Sequence, residues 1–554
     1  MATVSTVTQD HKEQEKEPRL SPQYLLSGDI VVGLIGYAGA GCTDVYTRLK
    51  TFLKEKNYDV KNIKMSECIV GCLKHPPDPI DNTDGAKRLE RAEKLQNAGD
   101  ELRRLHGADT VASLAIRKIK ELRNIKQKSK VAIIVDSFKH PAEVELMRTV
   151  YEQSFLLIGV YCDQESRLGR LENKYYQAEP DKIVEFMDRD EKDQSNNEGQ
   201  QVKKGFHLSD FFLDNSATIT SGQVRKYDQD LQRFVEIMEG GSLIRPSAAE
   251  SAMYAAYSAA QRSSCLSRQV GAAVTNENGE VISTGTNEVP AYGGGVYHDG
   301  HRNEDSRCFR WKWWEKLSET VPKHLQVPLC HNTRKKNELK EEISRWMKMN
   351  LPDKMADFIF SEAEDEGLNL SPDDREKFLD KASKFFEELH EAKEENNFLL
   401  NGIPGIGDLI EFSRSIHAEM DAVLSAARLG VPLHNGSLYV TTYPCHNCAR
   451  HLVAAGVKEV RFLEPYEKSL ATLLHSDSIA NEDKSAKFMS IRPYTGVGPR
   501  VYDQYFLKRG ELKDSLTGKA INPDVESARI GVRIFDLDKV EELAIKKIPE
   551  IIEV

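Results

Sequence analysis

Nothing in this chain approaches the run of about 18 consecutive apolar residues that a membrane-crossing helix needs. Its first residues, Met1 to Pro18, are polar and charged and lack the apolar centre of a secretory leader. An excess of positive charge is also missing. The 76 Lys and Arg stand against 87 Asp and Glu, a net of −11, so the chain lacks the basic footprint of a protein that tracks long nucleic acid. Cysteine is sparse at 9 in 554 residues, which excludes a disulfide scaffold. Together these absences point to a cytoplasmic chain with no membrane partner. Residues 1–27 read as a disordered tail, and no internal repeat stands out. What is present is enough apolar matter for real cores, 40% hydrophobic and 8% aromatic, over a length that suggests two or three domains.

His417-Ala-Glu419, followed by Pro444-Cys445-His-Asn-Cys448 with Cys445 28 positions after His417, is the densest chemical pattern. An imidazole and two thiolates can hold a tetrahedral zinc and leave its fourth position to water. Zinc lowers the pKa of such a water from about 15.7 towards about 7. Glu419 is not a ligand in this scheme. It is the catalytic acid–base, taking a proton from water, protonating a ring nitrogen and helping ammonia leave. Ala418 to Leu429, closed by Gly430, reads as a helix with a glycine stop, Leu438 to Thr442 as a strand, and Cys445 to Ala455 as a helix opened by Pro444. Both thiols then lie at a helix N-terminus, where the dipole favours thiolate. Residues two apart do not share a helix face, so His417 and Glu419 converge only on a zinc seated over the first turn. A closed zinc knuckle is the rival reading, but it needs a fourth protein ligand and gives Glu419 no role. The pattern as a whole resembles that of the zinc cytidine deaminase superfamily.

Upstream, Ser264 to Val274 and Gly279 to Asn287 read as helix, strand, turn, strand. This resembles the start of deoxycytidylate deaminases, in which a strand ends in Gly-x-Asn that contacts the nucleotide. Gly285-Thr-Asn287 is the matching segment, and the resemblance implies that Asn287 binds substrate. The alternative is a plain strand-end turn, a position that asparagine favours. Arg268, Arg414 and Arg450 are candidate cations for an anionic substrate. Between Asn287 and His417 lies an insertion, at about 298–405. Its first part carries His298, His301, Cys308, Trp311, Trp313, Trp314, Cys330 and His331; its second reads as surface helices with Leu339, Ile343, Trp346 and Met349 at helical spacing. A second structural zinc among those His and Cys residues matches no strong template, and no ligand is assigned.

In the N-terminal half, the apolar run from Asp29 to Gly36 reads as a strand leading into Gly36-Tyr-Ala-Gly-Ala-Gly41-Cys42-Thr43. That is the frame of a phosphate-binding P-loop with Cys42 in place of the lysine. Gly36 and Gly41 would still let backbone N–H groups cradle phosphate at a helix N-terminus, and Thr43 would still reach Mg2+. The missing lysine removes the charge that stabilises a transferring phosphoryl group. Leu95 to Arg104 with Arg91, Val131 to Asp136, Arg167 and Arg170, Met187 to Asp190, and Phe211 to Asn215 resemble, in turn, the helix, second strand, arginine-bearing lid and late strand of a nucleoside-monophosphate kinase.

The expected architecture is therefore α/β throughout. A P-loop kinase-like three-layer α/β/α domain at 28–240 joins, through a linker near Glu239 to Pro246, a cytidine-deaminase-like α/β/α domain at 245–554. The combination resembles the bacterial anti-phage deoxycytidylate deaminases. That implies zinc-dependent conversion of dCMP or dCTP to the deoxyuridine form, depletion of the deoxycytidine nucleotide pool, a nucleotide effector and a homo-oligomer. Two other classes compete: a deaminase of tRNA or single-stranded DNA, and a regulatory protein with a nucleotide-sensing P-loop module. Acidic net charge weighs against the first and an intact Glu419 against the second. No inhibitory RNA or protein partner is identifiable.

Overall fold

The computed structural model describes residues 30–78, 84–123, 130–191, 199–216, 227–239, 244–310, 330–366, 368, 370–391, 409–466, 469–481, 487–507, 513–520, 537–546 and 548. The expected tail, residues 240–243 of the expected linker, and Trp311, Trp313 and Trp314 lie outside the described residues. The chain divides into two compact units, Met1–Arg245 with Thr495–Val554, and Pro246–Tyr494.

In the first unit the strands, except the half-buried edge strand Asp59–Lys64, are short apolar runs buried on both faces, the signature of a parallel sheet covered by helices. They are β1 (Ile30–Gly36), β2 (Asp59–Lys64), β3 (Val131–Phe138), β4 (Phe155–Tyr161) and β5 (Phe211–Asp214), all parallel in the order β5-β4-β1-β3-β2. On one face the helices Cys42–Glu55 and Asp228–Glu239 bury Val45, Leu49, Leu53, Leu231 and Phe234 against Val32, Leu34 and Ile158. The helices Gln164–Lys174 and Pro180–Glu191 close over the long helix Gly85–His106 through a separate small core of Leu89, Leu171, Tyr175, Ile183 and Met187. Loops leaving the carboxyl ends of adjacent β1 and β3 therefore meet beneath those helices, the usual place for a ligand in an open α/β sheet.

The second unit is built on β6 (Gly271–Thr275), β7 (Val281–Thr286), β8 (Ser437–Thr442), β9 (Glu459–Glu464), β10 (Ile479–Ala480) and β11 (Met489–Pro493), in the order β10-β11-β9-β8-β6-β7. β6 pairs antiparallel with β7 and β8, and the remaining pairs are parallel. The helix Ala418–Leu429 lies directly on β7. A Cβ on Gly285 would meet the Ala418 carbonyl oxygen at 2.1 Å, so only glycine permits this approach. Asp421, on the same helix, accepts the Thr286 N–H at 2.9 Å and pins the contact.

Two expectations need correction here. Residues 261–270 form an irregular loop and not a helix, and the helix before β6 is Ala248–Ala260. The loop is held by side chains instead: Ser263 Oγ donates to the Asn287 carbonyl at 2.7 Å, and the Ser264 N–H to the Glu288 carboxylate at 2.7 Å. The insertion does contain two helices, His331–Asp365 and Pro372–Glu391, but Trp346 and Met349 are 51% and 70% exposed, so the helical spacing of the apolar residues does not bury them.

The third departure is the domain boundary. The stretch expected to run from 245 to 554 as one domain leaves the second unit after Tyr494 and rejoins the first. β12 (Gly496–Val497) adds to the β5 edge antiparallel, Arg500 pairs with buried Asp210 at 2.8 Å, and Val497, Val501 and Phe506 enter the main core. The helix Leu537–Ile545 then seats Glu541 between Tyr151 and Arg123, at 2.9 and 2.6 Å. Sequence pattern misses this return because a two-residue strand carries no periodic signal.

Candidate functional site

In the Pro246–Tyr494 unit, the helix Ala418–Leu429 starts at His417 and ends at Gly430 in the left-handed conformation, φ 70°. β8 leads through Pro444 to Cys445, which caps the helix His446–Ala454. Neither cap residue spends its side chain on its own helix. Both are turned to one point: His417 Nδ1 lies 3.4 Å from Cys445 Sγ and 3.3 Å from Cys448 Sγ. Among the described residues these three alone form a group of His, Cys or acidic ligand atoms within 4.8 Å of one another. His298, His301, Cys308, Cys330 and His331 do not form a second one. The His298 ring stacks on His301, and His298 Nδ1 accepts the Gly300 N–H.

The donor set fits a zinc ion: two thiols and one imidazole converge in a buried spot and leave a tetrahedral position unfilled by protein. The neighbouring Cys448 thiol and His417 hold the Cys445 thiol down to about 4, while Cys445, burial and Glu419 push Cys448 up. The bond to Cys445 lifts His417 to about 9 against the effect of burial. Glu419 is 4% exposed, and burial pushes its carboxyl up to about 7, opposed by the nearby His417. A carboxyl tuned near neutrality can both take and return a proton. His417, Glu419 and Cys445 border a cavity of about 250 Å3, lined also by Asn287, Arg268, Arg414 and Tyr443. Such a volume is at the small end for ligand pockets.

Asn287 is 8% exposed, and its amide already works for the protein. Oδ1 accepts the Val270 N–H at 2.7 Å and Nδ2 donates to the Arg268 carbonyl at 2.6 Å, so the side chain shapes the loop at the cavity's edge. Arg268 pairs with Glu464 and Arg414 donates to the Ser306 carbonyl, whereas Arg450 is exposed and does not line the cavity. Three thiols that the sequence does not connect with this site, Cys265, Cys308 and Cys330, do line it. They come from the loop before β6 and from the insertion, and no spacing in the sequence links them.

In the other unit, Gly36, Gly41, Cys42 and Thr43 line a cavity of about 930 Å3. Gly39 and Gly41 have φ of 82° and 84°, and Gly41 opens the helix Cys42–Glu55. Alternating left-handed glycines point successive N–H groups to one side, the geometry of an anion nest. Thr43 Oγ1 donates to Asp136 Oδ2 at 3.1 Å, joining the end of the loop to the end of β3. Cys42 packs against the main core, and burial pushes its thiol far up, so it offers no charge. Lys139, which the sequence reading passed over, places Nζ 3.2 Å from the Gly36 carbonyl. A lysine three residues after an aspartate at the end of a strand adjacent to the P-loop strand was the signal available.

Residues 375–464 match the family model of the "Cytidine and deoxycytidylate deaminase zinc-binding region". The ComE operon protein 2 of Bacillus subtilis is 44% identical over 55 residues, 10% of this chain and 29% of that protein. The deoxycytidylate deaminase of Enterobacteria phage T4 is 41% identical over 54 residues, 10% of this chain and 28% of the other. A UPF0200/UPF0201 protein of Archaeoglobus fulgidus is 29% identical over 126 residues, 23% of this chain and 36% of that one. The chain thus spans only about a third of the length of these relatives. A dCMP deaminase from the cyanophage S-TIM5 aligns at 14% identity over 45% of this chain and all of its own, with a TM-score of 0.21, too low to bear on the fold. The chain carries a deaminase zinc-binding region.

Proposed function

We propose that the Pro246–Tyr494 unit hydrolytically deaminates a deoxycytidine nucleotide, dCMP or dCTP, to its deoxyuridine form. The observation that carries this reading is the convergence of His417, Cys445 and Cys448 on one point, with the buried carboxyl of Glu419 two residues from His417. Those three would hold zinc, which supplies a Lewis acid able to activate water at neutral pH. Glu419 accepts the first proton that the attacking water loses and delivers it to the ring nitrogen of cytosine; it then takes the second proton from the hydroxyl newly bonded to C4 and passes it to the amine, which leaves as ammonia when the C4–N bond breaks. Arg268 and Arg414 give the cavity wall the positive charge that a nucleotide phosphate requires, and Asn287 fixes the loop that bears Arg268. The deaminase zinc-binding match over 375–464 and the likeness to a phage deoxycytidylate deaminase support the substrate class.

The test is ammonia release by zinc-loaded full-length protein given cytidine, CMP, dCMP, dCTP or a single-stranded oligonucleotide. Turnover of dCMP or dCTP alone supports the reading and sets the phosphate preference; turnover of the oligonucleotide alone overturns it. In cells the activity would deplete the deoxycytidine nucleotide pool and so starve phage DNA synthesis, in a cytoplasmic homo-oligomer. A fall in cellular dCTP on expression of the native chain, absent with Glu419→Ala, checks that role. The first unit, in the same reading, binds a nucleotide through its phosphates at Gly36 to Thr43, with Thr43 and Asp136 placed for Mg2+.

A further inference from the structure

The P-loop without a lysine is not without a cation. Lys139 leaves the end of β3 and reaches under the loop, where Nζ donates to the Gly36 carbonyl at 3.2 Å and pairs with Asp190 Oδ1 at 2.7 Å. Its charge falls next to Cys42, the residue standing where the lysine of a P-loop belongs. Asp190 is the second half of the arrangement. It ends the helix Pro180–Glu191, is 2% exposed, and its other oxygen, Oδ2, accepts the N–H of Ala38 inside the loop at 2.7 Å. One carboxylate thus bridges a loop amide and the loop's ammonium. Those are the two kinds of group that a P-loop offers to a phosphate oxygen.

The cavity in front of this pair is built for an anion larger than a carboxylate. It measures about 930 Å3 and is lined by seven Lys and Arg side chains against three carboxylates. At some distance in sequence from the loop, Gln96 borders the same cavity. It is 6% exposed, donates through Nε2 to Gln200 at 3.3 Å, and its Oε1 has no hydrogen-bond partner among the described residues. A buried acceptor left unsatisfied is destabilising, and an exocyclic amine on a base would satisfy it.

We propose that Lys139 is the relocated P-loop cation, and that Asp190 is a built-in anion which the phosphates of a nucleoside polyphosphate displace when they enter this cavity. The inference rests on the reading of the first unit as a nucleotide-binding module and adds the residue that binds and the residue that competes. Displacement frees Asp190 from both the loop and Lys139, so occupancy of the cavity loosens the C-terminal turn of the helix Pro180–Glu191. Because the ligand must first break an internal pair, its apparent affinity is below its intrinsic one by the fraction of molecules in which the seat is open.

The experiment is calorimetric titration of the full-length chain with ATP, dCTP and inorganic tripolyphosphate, each with Mg2+. The expected result is that Asp190→Asn tightens nucleotide binding roughly tenfold by removing that internal competitor. Lys139→Met weakens binding at least tenfold, and Lys139→Arg restores most of it by keeping a charge that can reach phosphate. Thermal melts accompany every variant, and hydrogen exchange along 180–191 should rise on nucleotide addition to the native chain. Binding unchanged by Lys139→Met and Asp190→Asn overturns the inference and leaves the nucleotide-binding reading standing. Weaker binding by Asp190→Asn, with an unaltered melt, overturns the role of Asp190 as competitor. Tripolyphosphate binding as tightly as both nucleotides overturns the assignment of a nucleoside. No binding by the native chain or by Asp190→Asn removes the nucleotide-binding reading and this inference with it.

Discussion

The two units place their chemistry alike and supply its charge differently. In each, a polar seat forms where a loop gives way to a helix: His417 and Cys445 cap their helices in one, and Gly41 opens its helix in the other. In the Pro246–Tyr494 unit, the residues that give the seat its character belong to the local motif, and folding has only to bring two short segments together. In the other unit the loop's own lysine position holds a buried, uncharged Cys42, and the cation comes from just beyond the carboxyl end of the neighbouring strand β3. A motif can thus decay locally while its electrostatics are kept by a residue that no local pattern contains. The reverse also holds, since Asn287 keeps its place in a local pattern while its amide is committed to holding a loop.

The comparison breaks most completely at the metal ligands. Cys445→Ala or Cys448→Ala should leave the chain without stoichiometric zinc and without deamination, as metal analysis and ammonia release would register; full zinc content would refute the ligand assignment. Glu419→Ala should separate binding from chemistry, with zinc retained and turnover reduced by about a thousandfold, the middle-to-upper range for a general acid–base. Full turnover would remove Glu419 from the mechanism. Gly285→Val tests whether the site depends on the close approach of a helix to β7. With a Cβ position only 2.1 Å from the Ala418 carbonyl oxygen, the helix must shift, at a cost of about 3 kcal/mol. A lowered melting transition with loss of activity is expected, and an unchanged melt would show the contact to be slack.

On the other unit, Gly41→Asp should abolish nucleotide binding in calorimetry, because it crowds a left-handed position and adds negative charge to an anion seat. Undiminished binding would count against a phosphate site there. The smallest effect is expected from Arg500→Ala. Asp210 keeps its bonds from Arg148 and the Leu157 N–H, so removing the partly exposed Arg500 side chain should cost less than about 1 kcal/mol in a denaturant titration. A larger loss would mean that the C-terminal return is held chiefly by charge and not by Val497, Val501 and Phe506.

How much could be read beforehand follows the same division. The helix Ala418–Leu429 and its glycine stop match the pattern to the residue, because an apolar period, an N-terminal cap and a C-terminal glycine all act within a few residues. β8 and the helix after Cys445 fall within one residue of expectation for the same reason. The stretch from Ser264 reads as a helix but folds as a loop, because its form depends on Asn287 and Glu288, some twenty residues away. Lys139, Asp190 and Gln96 reach one cavity from three elements, and nothing in their spacing announces it. Trp346 and Met349 have helical spacing and yet stay exposed, since periodicity names a face but not what covers it.

The return of the chain at Gly496–Val497 carries a consequence for the order in which the molecule can be made. A ribosome releases residues 246–494 before it releases the edge strand and the helix that complete the first unit. During that interval β5 has an open edge, and the pocket between Tyr151 and Arg123 lacks Glu541. A fragment cut at Arg245 would keep that unfinished state permanently. The N-terminal half therefore should not be expressed as a stand-alone domain. A faithful excision would remove the second unit from the middle and join 245 to 495 across the gap.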